Sequence, residues 1–367
     1  METTMAETQA ATGLVPAHWT NRYFTEYLRE NRFARYMGTS EGAMIQVRED
    51  LTTKHGDRIY FATVRRLKRD GVTDDTVLEG NEEELDSRSM SLVVGAIRHA
   101  FIVTKWQGQK SVIALADAGR AELKRWSTTK LKNDLVTALF GIDGVAYAAA
   151  TASQRNTWMV NNADRVLFGS QIANASSGVM ATALATVDNT SDKLSPGLIS
   201  LAKRRAMLAD PPIRPIQVKG ADGEQEWFVM WVHPLAMRDL QNDTAMMQAN
   251  RDALERGKGN PLFTGGDLLW DGVIIKELRE APILAGAGTG GINVAANFLC
   301  GAQALGVAWA MRPEVVVEER DYKWRHGVAT QEMRGLGKLR FGTGAEDTDT
   351  PKDAGVVTVF TAAVADT

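Results

Sequence analysis

The chain is poor in the residues that build reactive centres. Cys300 is the only cysteine among 367 residues, so neither an intramolecular disulfide nor a multi-cysteine metal site can form. A lone thiol suits a reducing cytoplasm. The five histidines, His18, His55, His99, His233 and His326, are scattered. None stands in an H-E-x-x-H or comparable ligand spacing, so no metal is expected. A G-x-x-x-x-G-K-[ST] phosphate loop and a G-x-S-x-G nucleophile elbow are both missing. An excess of one charge is missing too. The 42 basic and 45 acidic residues leave a formal −3, without the basic surplus of a dedicated nucleic-acid binder. Residues 1–13 are rich in Thr, Ala and Glu and lack the basic and apolar regions of a secretory signal. The most apolar run, residues 295–311, is interrupted by Asn297, Gln303 and glycines. It is too short for a comfortable membrane span and reads as a buried core segment. Internal repeats are absent.

What remains is ordinary globular composition at a length that allows two or three domains. With 44% hydrophobic and 24% charged residues, the chain can bury a sizeable core. Residues 57–104 organise the rest. The outgoing segment 58–69 carries Ile59, Tyr60, Phe61, Val64 and Leu67. The return segment 89–104 carries Leu92, Val93, Val94, Ile97, Phe101, Ile102 and Val103. Both have strand composition and predict a long two-stranded arm. Such a ribbon is barely stable alone and leaves its edges unpaired, so something outside it must cover it. The shaft is basic, with Arg58, Arg65, Arg66, Lys68 and Arg69. The tip is acidic, with Asp74, Asp75, Glu79, Glu82, Glu83, Glu84 and Asp86. An arm of this kind fits across an identical copy, Arg65, Arg66 and Lys68 facing a neighbour's Glu79, Glu82 and Glu83. A solvated surface hairpin with incidental charge is the other reading.

Ahead of the arm, Tyr23, Phe24, Tyr27 and Leu28 recur at helical spacing within residues 19–36. The aromatic stripe either joins the core or docks on a neighbour. Residues 111–140 predict a long helix, with Ala116, Leu123, Trp126, Leu131, Leu135 and Ala138 on one face and Arg125, Thr129 and Lys132 opposite. Thirty residues give a rod of roughly 45 Å, stopped at Gly141 and Gly144. A short helix is expected near residues 179–184. Another starts at Ser195-Pro196-Gly197 and runs to Leu208, with Ser195 as cap and Pro196 at the first helical position. Lys203, Arg204 and Arg205 on it read as a solvated face before a DNA site. Strands at 213–219 and 226–233 meet at a turn. The second is nearly all apolar and predicts burial on both faces. A helix over 234–256, a strand over 273–278, the core segment 295–311, a strand over 314–320, an acidic linker at 344–353 and a last short strand at 356–360 complete the reading. Gly286-Ala287-Gly288-Thr289-Gly290-Gly291 matches G-x-G-x-x-G, but only residues 282–285 precede it and no alternating βα pattern surrounds it. It reads as a flexible glycine loop, with a nucleotide-dependent enzyme as the distant alternative.

Three stretches together carry a resemblance: Gly56-Asp57-Arg58-Ile59, the tip Gly71-Val72 with Leu78-Glu79-Gly80-Asn81-Glu82-Glu83, and Trp270-Asp271-Gly272-Val273-Ile274-Ile275. Their order and spacing, over roughly residues 19–341, resemble the tailed-bacteriophage major capsid proteins of the Hong Kong 97-like capsid fold. The resemblance implies an α+β chain with an N-terminal arm (1–50) and an extended β-hairpin loop (51–105). It further implies a peripheral domain with a spine helix (106–144), an axial domain (145–310), and a return to the peripheral domain with C-terminal strands (311–367). It favours docking of Tyr23, Phe24 and Tyr27 on an adjacent subunit. It implies a structural protein and no enzyme, without cofactors, whose copies form hexamers and pentamers of an icosahedral head around double-stranded DNA. The expected partners are itself, portal, scaffolding and decoration proteins, and non-specifically held DNA, with no membrane. The expected location is the virion, assembled in the host bacterial cytoplasm. An encapsulin-type nanocompartment shares the fold and is the alternative. Some capsids of this fold crosslink a loop lysine to a neighbour's asparagine. Lys68 is the conceivable donor here, but nothing local marks its partner.

Overall fold

The computed structural model describes residues 31–52, 56–64, 71–74, 77–79, 82–83, 87–111, 115–220, 223–253, 268–344 and 346–365. In chain order the first strands are β1 (Met37–Gly38), β2 (Ile45–Arg48), β3 (Arg58–Val64), β4 (Ser87–Val93) and β5 (Gly95–Thr104). Helices α1 (Lys105–Lys110), α2 (Leu115–Leu139) and α3 (Ala152–Asn161) follow, then β6 (Val166–Phe168), α4 (Met180–Ala185) and α5 (Pro196–Leu208). The hairpin β7 (Ile216–Gly220) and β8 (Gly223–Val232) leads to α6 (Pro234–Gln241) and α7 (Thr244–Ala253). Next come β9 (Leu268–Trp270), β10 (Val273–Glu277), β11 (Ile283–Leu284), β12 (Val294–Cys300), β13 (Leu305–Arg320) and β14 (Arg325–Lys338). The chain closes with β15 (Arg340–Phe341), β16 (Lys352–Asp353) and β17 (Val356–Ala362).

Two larger sheets result. One has five strands in the order β1-β2-β13-β14-β5; the other has eight, with a central path β6-β17-β12-β8-β10-β9. The long helix α2 crosses the five-stranded sheet. Its 25 residues span about 37 Å, less than residues 111–140 implied, because Ser111 ends α1 as a separate helix capped by Thr104. Leu123, Leu131, Leu135 and Leu139 form the buried stripe, with Ser127 completing it by returning its hydroxyl to the Leu123 carbonyl at 3.0 Å. Arg125 and Thr129 face water as expected, while Lys132 reaches Glu280 at 2.6 Å. Helix and sheet meet closely at Gly119, where an added Cβ would lie 2.4 Å from the Phe101 ring.

In the eight-stranded sheet, β8 runs between β12 and β10 with Phe228 to Val232 all buried. This is what a continuous apolar run requires of an interior strand. All seven residues of β12 are likewise buried, so residues 295–311 are core as expected, split into β12 and the start of β13. Ser195 caps α5 by accepting from the Leu198 amide, with Pro196 in the first turn. The helix expected over 234–256 is instead two helices. Asp243 breaks it by accepting from the Ala245 amide at 2.9 Å and capping α7.

Three expectations are corrected by pairing across the chain. The return segment 89–104 is not one strand of a ribbon. It divides at Val94: β4 pairs with β3, and β5 leaves to pair with β14 from Thr104↔Arg325 to Gly95↔Arg334. Phe101 and His99 point at α2, His99 lying 4.4 Å from the Trp126 ring, so this half is drawn to the helix. Residues 31–50 do not behave as a detached arm. Phe33, Tyr36, Met44 and Ile45 are buried in the chain's own core, Phe33 at 4.4 Å from the Trp231 ring. Finally, β17 does not return to the α2 sheet. It sits between β6 and β12 with all seven residues buried, because Val356, Val357, Val359 and Phe360 need cover on both faces.

Candidate assembly surfaces

The ribbon β3–β4 pairs from Arg58↔Val93 to Val64↔Ser87. Alternation turns Ile59 and Phe61 inward, at 2% and 0% exposure, and leaves Tyr60 at 60% and Val64 at 54% outward. The inner face packs with Leu92 on Ala308, Leu339 and Phe341. A Cβ at Gly335 would lie 2.5 Å from the Val93 carbonyl oxygen, so glycine there admits the ribbon's backbone this close. The segment after β15 clamps its edge. Arg88 donates to the Gly344 carbonyl at 2.6 Å, and Ser89 donates to Asp347 from its amide at 3.1 Å and its hydroxyl at 2.7 Å. Those bonds, with Arg88 nearby, hold the Asp347 carboxyl below the usual carboxylate range. The inner face of the ribbon's stem is therefore sheltered by its own subunit, so the cover that an isolated ribbon needs does not have to come from a second copy. Beyond the stem, Val77 and Leu78 stand 67% and 59% exposed. Glu79 and Glu82 are exposed and Glu83 is half-buried. Arg65, Arg66, Lys68, Tyr23, Phe24 and Tyr27 lie outside the described residues.

A second surface, not expected as a contact from the sequence, is the turn joining β13 to β14. Asp321, Tyr322 and Lys323 have φ of 55°, 48° and 66°, a left-handed run that L-residues rarely adopt. Tyr322 is wholly in water, Trp324 is half-exposed, and Trp106 of α1 stands beside it, bound through the Lys105 amide to the Trp324 carbonyl at 2.9 Å. Charges around the turn are paired locally: Arg320 with Glu318 at 2.7 Å, Arg325 with Asp321 at 3.7 Å. The signal available in the sequence was two aromatics within a glycine-free turn.

The helix α2 covers one face of the five-stranded sheet, and the ribbon covers part of the other, at Gly335 and Gly337. Val316 pairs with Ala329, and Ala329 with Ala100. Strand parity then puts Ile102, Val316 and Met333 on the face away from α2. All three are substantially exposed. Ile102 and Val316 lie in adjacent rows of this face, and Met333 stands beyond the row of Arg98, Gln331 and Glu314.

The buried charges are structural. Arg334, 0% exposed, meets Asp134 on α2 at 2.6 Å and Glu332 at 3.2 Å. Lys338 meets Asp353 at 2.8 Å, and the Trp158 indole donates to the same carboxylate at 3.1 Å. The latter cluster ties β14 of one sheet to α3 and β16 beneath the other. The glycine loop 286–291 lies between β11 and β12 and holds only the short turn Thr289–Gly291. A strand follows it, not a helix, so the βαβ setting of a dinucleotide site is missing. Thr289 pins the loop to the Ala185 and Val187 carbonyls at 2.6 and 2.9 Å. His233 caps α6 by accepting from the Leu235 amide at 3.1 Å, and burial lowers its pKa. Burial pushes the Cys300 thiol up, out of the reactive range. Among the described residues, no group of His, Cys, Asp or Glu could hold a metal ion, and no helix is long and apolar enough to cross a membrane.

A family model for phage capsid protein matches residues 7–365. The chain belongs to the phage capsid protein family. It is 27% identical over 365 residues to the major capsid protein of Pseudomonas phage KPP25, covering 94% of each chain. Among solved structures it resembles the capsid asymmetric unit of cyanophage Pam1, with a TM-score of 0.78, 32% identity, and coverage of 99% of this chain and 100% of that one. The capsid of Ralstonia phage GP4 shares the fold at a TM-score of 0.74 and 22% identity, over 99% and 96% of the two chains. The family and the HK97-like mixed α and β fold read from the residues are both borne out. This capsid protein assembles with copies of itself into a capsid lattice and is a component of the virion.

Proposed function

We propose that this phage capsid protein is the subunit of hexamers and pentamers that tile an icosahedral head around double-stranded DNA. The match over residues 7–365, with a Pam1 likeness covering nearly all of both chains, carries the reading. In it the α2 sheet and α1 make the peripheral part, the eight-stranded sheet makes the axial part, and the division follows the sheets more closely than consecutive ranges. The outer end of the ribbon laps a neighbour. The open face at Ile102, Val316 and Met333 and the Tyr322 turn are further contacts. Many modest interfaces then add up to a closed lattice. The subunit works by packing and not by catalysis. Portal, scaffolding and decoration proteins and non-specifically held DNA are its further partners, and the host bacterial cytoplasm is the place of assembly.

Negative-stain imaging of purified recombinant protein, with a nuclease-protection assay on particles from infected cells, tests this. Closed shells and protected DNA are expected. Shells that enclose protein and no DNA would mean an encapsulin-type compartment. A compact monomer at high concentration would overturn the proposal. Reversing the tip charges in Glu82→Lys/Glu83→Lys is expected to block shells while leaving the monomer folded.

A further inference from the structure

The end of α5 borders a groove of about 290 Å³. Its walls are Ile172, Leu201, Leu208 and Ala209, and its basic residues are Arg204 and Arg205. Leu208 is 83% exposed, and Ile172 on the wall and Met207 next to Leu208 in the chain are also about half in water or more. The three consecutive bases of this helix differ in one respect. Lys203 is held by Asp271 at 2.9 Å, and Arg205 donates to the Ala163 carbonyl. Arg204 is exposed and has neither a hydrogen bond nor an ion pair among the described residues. Asp164, the acid on the groove wall, is engaged by Lys352 at 3.1 Å and by the Asp210 amide at 3.0 Å. The groove thus combines apolar walls with one unclaimed positive charge.

The chain carries a segment of the opposite kind. Between residues 70 and 86 there are acids and no Lys or Arg. Within that stretch Val77 and Leu78 are among the most exposed apolar side chains of the molecule, and exposed Glu79 follows them. Two apolar side chains and then a carboxylate complement a groove of leucine and isoleucine with an arginine at its mouth.

We propose that this groove receives the ribbon tip of a second copy, Val77 and Leu78 against Leu208 and Ile172, and Glu79 against Arg204. The proposal rests on the shell reading above and names the receptor within it. A basic shaft on the neighbour answers only the acids of the tip. The groove also covers its two apolar side chains. Packaged DNA would satisfy Arg204 but leave Leu208, Met207 and Ile172 in water.

Full-length protein with Leu78→Cys and Leu208→Cys tests the pairing. Cys300 is wholly buried, so background disulfide is low. Oxidised particles are expected to give a ladder of linked chains on a non-reducing gel, collapsing to monomer with reductant. Co-assembly of the two single-cysteine proteins is expected to give linked dimers. Arg204→Glu is expected to cut particle yield about tenfold or more, since like charges then face each other, and Glu79→Arg in the same chain is expected to restore it. Arg204 is exposed, so its thermal melt stays that of the parent. No ladder from intact particles, a link only within one chain, or normal yield from Arg204→Glu would each overturn the proposal. Normal yield with less protected DNA would place Arg204 against nucleic acid and overturn it as well. The parent protein is assembled alongside. Its failure to form shells counts against the shell reading, whereas sound parent shells without the link count against the groove alone.

Discussion

Asp353→Ala removes the one carboxylate that serves both Lys338 and the Trp158 indole. The lysine and aspartate side chains are 5% and 6% exposed, and the Lys338 ammonium also lies 5.1 Å over the Trp158 ring. Truncation strands a charge where water does not reach it and leaves an indole N–H without its acceptor. Breaking a buried pair from one side costs about 3–5 kcal/mol. A chain of 367 residues unfolds with an entropy on the order of 0.8 kcal/mol/K, so the loss amounts to a fall in Tm of roughly 4–6 °C. Differential scanning calorimetry of unassembled protein at neutral pH measures it. Lys338→Met with Asp353→Leu replaces both charges by apolar groups and is expected to recover most of the loss. A shift under about 1 °C for Asp353→Ala, or a double variant no better than the single, would refute the reasoning. The ribbon packs on Leu339, one residue beyond Lys338, so the weakened protein is also expected to assemble poorly.

Asp347 gives the ribbon clamp a pH dependence of known sign. Its carboxyl is depressed by the Ser89 bonds, so its contribution is full above the unfolded carboxylate range and is lost as pH falls through the lower folded value. The protection factor of the Ser89 amide, its exchange rate referred to the intrinsic rate at each pH, is expected to fall in that acid window, and Asp347→Asn to abolish the pH response. The Tyr322 turn separates folding from assembly. Tyr322→Ser leaves Tm within about 1 °C, since nothing in the subunit covers the ring, and lowers shell yield by sedimentation; unaltered yield would remove the turn from the contacts.

Where the deciding chemistry is local, the chain is legible without its structure. Ser195 with Pro196 announces a helix start because the cap bonds an amide three residues away. Phe228 to Val232 announce an interior strand, and residues 295–311 a buried core segment, because no alternation leaves them a wet face. Family membership rests on several such stretches in the right order. Pairing between distant segments is not written this way. Segments 58–69 and 89–104 have the same β-forming composition throughout. Contact with β14 and α2 pulls β5 out of the ribbon, and Gly335 and Gly337 let the remaining stem lie on its own subunit. Residues 356–360 read as a short terminal strand until the gap between β6 and β12 is seen. Tyr322 and Phe33 are equally aromatic letters, yet one stands in water on a left-handed turn and the other is sealed against Trp231. Local hydrogen bonds and burial patterns belong to the sequence. Which surfaces meet, and so which are left open for a neighbour, belongs to the packed chain, because burial there depends on residues hundreds of positions apart.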